Sequence, residues 1–167
     1  MAANRIYFDT NIFIEMIEES GSAAGQLLID FFSANDGSQP AYIFTSELTL
    51  AELLTGPYKD KNLELIRTYD NILTPGGNLA LCPVSRELLW QSAVFRATYP
   101  GIKLPDAIHI TTAIAQGCTH FLTADKGISG QYKHYDHFHQ LVGNSALDVV
   151  RPTESVIQKL ISESKND

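Results

Sequence analysis

The stretch Arg5-Ile6-Tyr7-Phe8-Asp9-Thr10-Asn11 constrains the fold of this chain more than any other. Ile6, Tyr7 and Phe8 form a short apolar run with strong strand preference, and Asp9 ends it. A helical pattern follows at once. An apolar strand without a polar face, feeding directly into a helix, reads as the first strand of an α/β sheet buried on both faces. In open parallel sheets, ligands bind beyond the carboxyl ends of the strands. A carboxylate at that place can hold a cation and is a poor packing residue.

The rest of the chain repeats the alternation. Asn11 is read as the cap of a helix carrying Ile12, Phe13, Met16 and Ile17, with Glu15, Glu18 and Glu19 solvated and Gly21 as its break. Ser22 caps a second helix, with Ala24, Leu27, Leu28, Phe31 and Phe32 on one stripe, ended by Asn35-Asp36-Gly37. A strand at Tyr42, Ile43 and Phe44 leads into a helix capped by Ser46, carrying Leu48, Ala51, Glu52 and Leu54, and stopped by Gly56-Pro57. Asp60 opens the next helix, with Leu63, Ile66, Tyr69 and Leu73 on one face, and Pro75-Gly76-Gly77 closes it. A third strand at 79–84 precedes a helix capped by Ser85. Pro105 fits the first position of a helix from Asp106 to Ala115, and a fourth strand follows at 120–123. Residues 127–145 read as irregular, 147–150 as a short last strand, and Pro152 starts a final helix. Strands alternating with helices predict a parallel sheet of four or five strands, and no linker divides residues 1–167 into more than one domain.

Four acids stand out against this pattern: Asp9, Glu52, Asp106 and Asp125 each interrupt or follow an apolar segment. Each has a plain structural alternative. Asp9 can cap a helix, Asp125 can shape a turn, and Asp106 can cap the helix of Pro105. Glu52 sits among Leu50, Ala51, Leu53 and Leu54, where an unpaired buried carboxylate would be costly. A shared site explains all four together. Oxygen-only ligands without cysteine suit Mg²⁺ or Mn²⁺ rather than zinc. Such ions bind a phosphate oxygen, generate hydroxide and stabilise a leaving oxygen, which is the chemistry of phosphodiester hydrolysis.

Charge and composition limit this reading without overturning it. The net charge of −7 argues against a broad nucleic-acid surface, although four acids gathered around cations would account for more than half of it. No apolar run is long enough to span a membrane and the first residues lack a signal-peptide core, so the expected location is the cytoplasm. Cys82 and Cys118 show no metal spacing and read as buried thiols, with a disulfide left open.

Asp9-Thr10-Asn11 after a first strand, Leu50-Ala51-Glu52-Leu53-Leu54-Thr55-Gly56, Leu104-Pro105-Asp106-Ala107-Ile108-His109-Ile110 and Phe121-Leu122-Thr123-Ala124-Asp125 resemble the successive motifs of PIN-domain nucleases. Within that group the chain is most similar to VapC-type toxins of toxin–antitoxin pairs, from about residue 5 to about residue 160. The resemblance implies a three-layer α/β/α sandwich and a Mg²⁺- or Mn²⁺-dependent endoribonuclease. Asp9, Glu52, Asp106 and Asp125 would form its acidic, metal-holding site, with Asn11 and Thr123 in support. It also implies an RNA substrate, an antitoxin lying over the acidic groove, and a homodimer. Ala124 departs from the pattern, where the family often has Asn.

Other residues carry weaker alternatives. Thr10 can add a hydroxyl to the site or bond its own backbone. His109 can face the site or pack in the core, and packing is the expectation. His134, Asp136, His137 and His139 read as a solvated loop rather than a metal cluster. Lys126, Tyr132, Lys133, Tyr135 and Phe138 can contact RNA by charge and stacking, or pack the loop down. Phe13, Ile17, Phe31 and Phe32 are core stripes or a dimer surface. Two rival functions stand beside the nuclease. One is a PIN-like module that binds RNA or protein without cutting. The other is a receiver or phosphatase domain, for which Asn11 stands where a second Asp belongs.

Overall fold

The computed structural model describes residues 5–34, 42–74 and 79–164. A six-stranded sheet runs in the order β3-β2-β1-β4-β6-β5. The strands are β1 (Ile6–Phe8), β2 (Ile43–Ser46), β3 (Leu79–Cys82), β4 (His120–Leu122), β5 (Gln131–Tyr135) and β6 (Leu141–Val150). β3, β2, β1, β4 and β6 are mutually parallel, and β5 adds an antiparallel edge to β6. The helices are α1 (Thr10–Glu18), α2 (Ala23–Ser33), α3 (Leu48–Lys59), α4 (Leu63–Ile72), α5 (Arg86–Thr98), α6 (Leu104–Ala115) and α7 (Glu154–Ser164).

β1 explains the layering. Its side chains alternate between two cores and all three are buried. Ile6 and Phe8 enter a cluster shared with α1, α2, α3, α4 and α7, including Phe13, Phe31, Leu53, Tyr69 and Ile157. Tyr7 enters the opposite cluster with Phe44, Phe121, Phe95 of α5 and Ile110 of α6. The chain is thus a three-layer α/β/α sandwich on a mainly parallel sheet. Phe13 and Phe31 are 0% exposed, which makes them core and removes them as dimer surface.

Several boundaries differ from the sequence reading. α1 is capped by Asp9, not Asn11, because the helix starts two residues earlier, at Thr10, whose N–H donates to Asp9 Oδ1. The residue before α3 is Glu47, although Ser46 Oγ still accepts from the Leu48 N–H. α3 runs through Gly56 and Pro57 to Lys59. Proline crowds the preceding residue's Cβ, and Gly56 has none; Pro57 is also buried, so the helix gains apolar contact for one lost hydrogen bond. Asn62, not Asp60, caps α4 through the Leu65 N–H, and Leu63 is 65% exposed rather than packed. Ser22 and Ser85 cap as expected, accepting from the Gly25 and Leu88 N–H groups. Pro105 is the second helical residue, since α6 begins at Leu104. The expected stops Asn35-Asp36-Gly37 and Pro75-Gly76-Gly77 lie outside the described residues.

The largest difference lies in residues 127–145. They hold β5 and the first half of β6, a hairpin rather than an irregular loop. Tyr132 provides its reason. The ring is buried, edge-on to Phe95 at 5.2 Å and to Tyr99 at 5.1 Å, while Gln131 and Lys133 on either side face solvent.

Candidate acidic site at the carboxyl rim of the sheet

The sheet order reverses beside β1, so the ends of β1 and β4 border the crevice where α/β folds bind ligands. Backbone bonds carry the ladders past the strand ends. The Asp9 N–H donates to Leu122 O at 3.1 Å and the Thr123 N–H to Val150 O at 3.1 Å. Asp9 and Thr123 are thereby set side by side at the rim, both buried.

Asp9 is held by three donors. Thr10 N–H reaches Oδ1 at 2.8 Å, while Asn11 Nδ2 at 2.7 Å and the Thr123 hydroxyl at 2.6 Å share Oδ2. Asn11 Nδ2 also lies 3.0 Å from Thr123 Oγ1, and its Oδ1 accepts from the Ala124 N–H at 2.8 Å. The small Ala124 therefore enters the network through its backbone. Thr123 Oγ1 accepts in turn from the Asp125 N–H at 3.0 Å. Three elements end in one fixed array.

Asp125 is exposed and accepts from the Gly127 N–H at 2.7 Å, so it does shape a turn as well as border the site. That turn is pinned by Arg151, whose guanidinium donates to the backbone oxygens of Thr123, Asp125 and Ile128. Sequence reasoning did not find Arg151. Its position follows only from the β4–β6 register, which pairs Leu122 with Val150.

Asp106 lies in the first turn of α6, but Lys103 occupies the cap position and its side chain makes no cap bond. Among the described residues nothing donates to the Asp106 carboxyl. Burial and then the charges of Asp125 and Asp9 raise its pKa, and Lys103 and His109 offset only part of this. Asp106 thus lies in the field of Asp125 and Asp9.

The helix of Glu52 turns it to the rim, where its side chain is 32% exposed, and partners hold it there. The Thr10 hydroxyl donates to Oε2, and His109 Nε2 lies 2.8 Å from the same oxygen. Burial would raise the Glu52 pKa, but the bonds from His109 and Thr10 prevail and lower it. His109 is buried as expected, yet it also touches the site.

Among the described residues, no three His, Cys, Asp or Glu groups converge closely enough to ligate one ion as they stand. The donor set and its charge suit a hard cation, which would offset the mutual repulsion around Asp106. The histidine-rich tip gathers no such set. Asp136 accepts from the Phe138 and Gln140 N–H groups, and His139 Nε2 lies 3.1 Å from Thr98 Oγ1. Cys82 and Cys118 are both buried free thiols.

A family model described as PIN domain matches residues 6–133. Among solved structures, the chain is similar to a toxin–antitoxin complex from Klebsiella pneumoniae, at 24% identity and TM-score 0.54, over 75% of this chain and 91% of that one. It is similar to VapC20 from Mycobacterium tuberculosis, a toxin that cleaves the sarcin–ricin loop, at 17% identity and TM-score 0.55, over 72% and 90%. A third is VapBC2 from Rickettsia felis bound to a promoter DNA fragment, at 20% identity and TM-score 0.53, over 72% and 87%. At such identities the likeness is one of fold. No curated protein sequence matches significantly.

Proposed function

We propose, from the premise that this chain belongs to the PIN-domain family, that it is a Mg²⁺- or Mn²⁺-dependent endoribonuclease and the toxin of a toxin–antitoxin pair. Asp9, Glu52, Asp106 and Asp125 hold the metal, and Asn11 and Thr123 support them. Asp106 carries this reading. It is a half-buried carboxyl in the field of two others, with no donor among the described residues. A fold that keeps such a group benefits when a cation sits beside it.

The ion, when bound, supplies a polarised phosphate oxygen, an activated water and charge for the leaving oxygen. The chain's own residues do the positioning. Asn11, Thr123 and the Thr10 N–H leave the Asp9 carboxylate little freedom to turn. Thr10 and His109 do the same for Glu52. Arg151 and the Gly127 N–H fix the turn that carries Asp125. A site so held has little left to reorganise as charge develops on the phosphate.

The toxin role is supported by the fold shared with toxins of known complexes. It brings with it an RNA substrate, an antitoxin, a homodimer, a single domain over residues 1–167 and a cytoplasmic location. No helix among the described residues is long and apolar enough to cross a membrane. The test is cleavage of RNA in Mg²⁺ by wild type and Asp106→Asn. The variant should lose activity by a factor on the order of 10²–10³ or more, with its fold intact. Undiminished cleavage by the variant overturns the assignment. A wild type that binds RNA without cutting it supports the non-catalytic module instead.

A further inference from the structure

Glu52 stands at an open rim, yet its orientation is set from the core. His109 is 1% exposed and uses both ring nitrogens, with Nε2 2.8 Å from Glu52 Oε2 and Nδ1 2.8 Å from the Tyr7 hydroxyl. Tyr7 is 0% exposed and immobilised by packing, since its ring stacks on Phe121 at 5.1 Å and meets the His109 ring edge-on at 5.9 Å. An ionised carboxylate only accepts hydrogen bonds, so Nε2 carries a proton. Nδ1 faces the Tyr7 hydroxyl, so both ring nitrogens are engaged and the ring cannot flip without losing a bond.

The arrangement exceeds what packing needs. A histidine wanted only for the core could bond Tyr7 and stop there. Here the second nitrogen reaches a carboxylate that is 32% exposed, and the Thr10 hydroxyl meets the same oxygen. Among the described residues no donor meets Oε1. One carboxylate oxygen is thus tied down and the other left for a ligand. Tyr7 is in β1, Thr10 in α1, Glu52 in α3 and His109 in α6, so the tie also fixes α3 to the central strand.

We propose that Tyr7 and His109 are positioning residues that clamp Glu52 through Oε2 and present its Oε1 to the bound cation. This rests on the metal-site reading above. Outer partners of this kind are worth about 10- to 100-fold in metal affinity.

The test uses the full chain. Long-range ¹H–¹⁵N spectra of the imidazoles in EDTA, with His109 assigned from a His109→Gln sample, should show a proton held at Nε2. Glu52→Gln, whose amide can donate as well as accept, should lose that single tautomer. A His109 protonated at Nδ1, or averaging between tautomers in wild type, overturns the clamp. Calorimetric titration with Mn²⁺ then reads its consequence. His109→Leu should weaken Mn²⁺ by about 10- to 100-fold, while His109→Gln, whose amide can donate where Nε2 did, should restore most of the affinity. Equal Mn²⁺ affinity in wild type and His109→Leu overturns the proposal, as does equal loss in the Leu and Gln variants. If His109→Leu does not fold, Tyr7→Phe takes its place, and unchanged Mn²⁺ affinity in that variant overturns the proposal in the same way. A wild type that takes up no Mn²⁺ removes the metal-site reading and this proposal with it. That outcome is distinct from a wild type that binds Mn²⁺ no better than its variants.

Discussion

Asp106 and Glu52 are carboxyls pushed in opposite directions by their neighbours. Asp106 is raised, so the native state holds its proton more tightly than the unfolded chain does. The resulting penalty is absent below the ordinary value of 3.8, grows as pH climbs from there to the raised value, and is complete above it. Asp106→Asn in EDTA should therefore melt above wild type at pH 7, with the gap closing below about pH 4. Calorimetric scans across pH would check this, and a gap independent of pH would refute it. Glu52, being lowered, contributes stability at neutral pH that is lost in acid. A second expectation concerns Thr123, which donates to Asp9 and accepts from Asn11 and Asp125 while 0% exposed. Thr123→Val should cost about 1–3 kcal/mol in urea titration, because it strands buried polar groups; a neutral result would mean the network is slack. Asp9, Glu52, Asp106 and Asp125 stand out in the sequence because each interrupts or follows an apolar run. The partners of Glu52 were not legible, because Thr10 and His109 lie 42 and 57 positions away in the chain. His109 was read as core or site, and the fold makes it both.

Among the elements, caps and stops were the hardest to read. The caps Ser22 and Ser85 declared themselves, whereas Gly56-Pro57 did not stop α3, because a glycine before proline has no Cβ to clash with the ring. The β5–β6 hairpin was hidden by its histidines and by a partner strand some ten residues away. Its alternation of Gln131, Tyr132 and Lys133 is a strand pattern only once the Phe95–Tyr99 surface is known to be opposite. The same hairpin contains Gly143 at φ +69, with open space where a Cβ would go. Gly143→Ala should thus register backbone strain alone, about 1–2 kcal/mol. Hydrogen exchange should show the loss confined to 131–147, while exchange in β1 and β4 stays as in wild type.

At the scale of the whole molecule, the alternation in β1 decided the layering, and it was readable from three residues. The phenylalanines of α1 and α2 left core and dimer surface both open, and burial settles Phe13 and Phe31 as core. Phe31→Ala should cost about 3–5 kcal/mol. Its urea midpoint should be displaced by the same amount at every protein concentration. A displacement that shrinks as protein is concentrated would point to a subunit contact instead. One consequence of the sheet order concerns time rather than space. The bond from Thr123 to Asp9 joins residues 114 positions apart, and β4 enters the sheet between β1 and β6. A ribosome therefore delivers Asp9, Glu52 and Asp106 before the strand that holds Asp9, and Arg151 later still. An unfinished chain, or one clipped short of β4, carries Asp9, Glu52 and Asp106 without the Thr123 hydroxyl that holds Asp9 against the neighbouring strand.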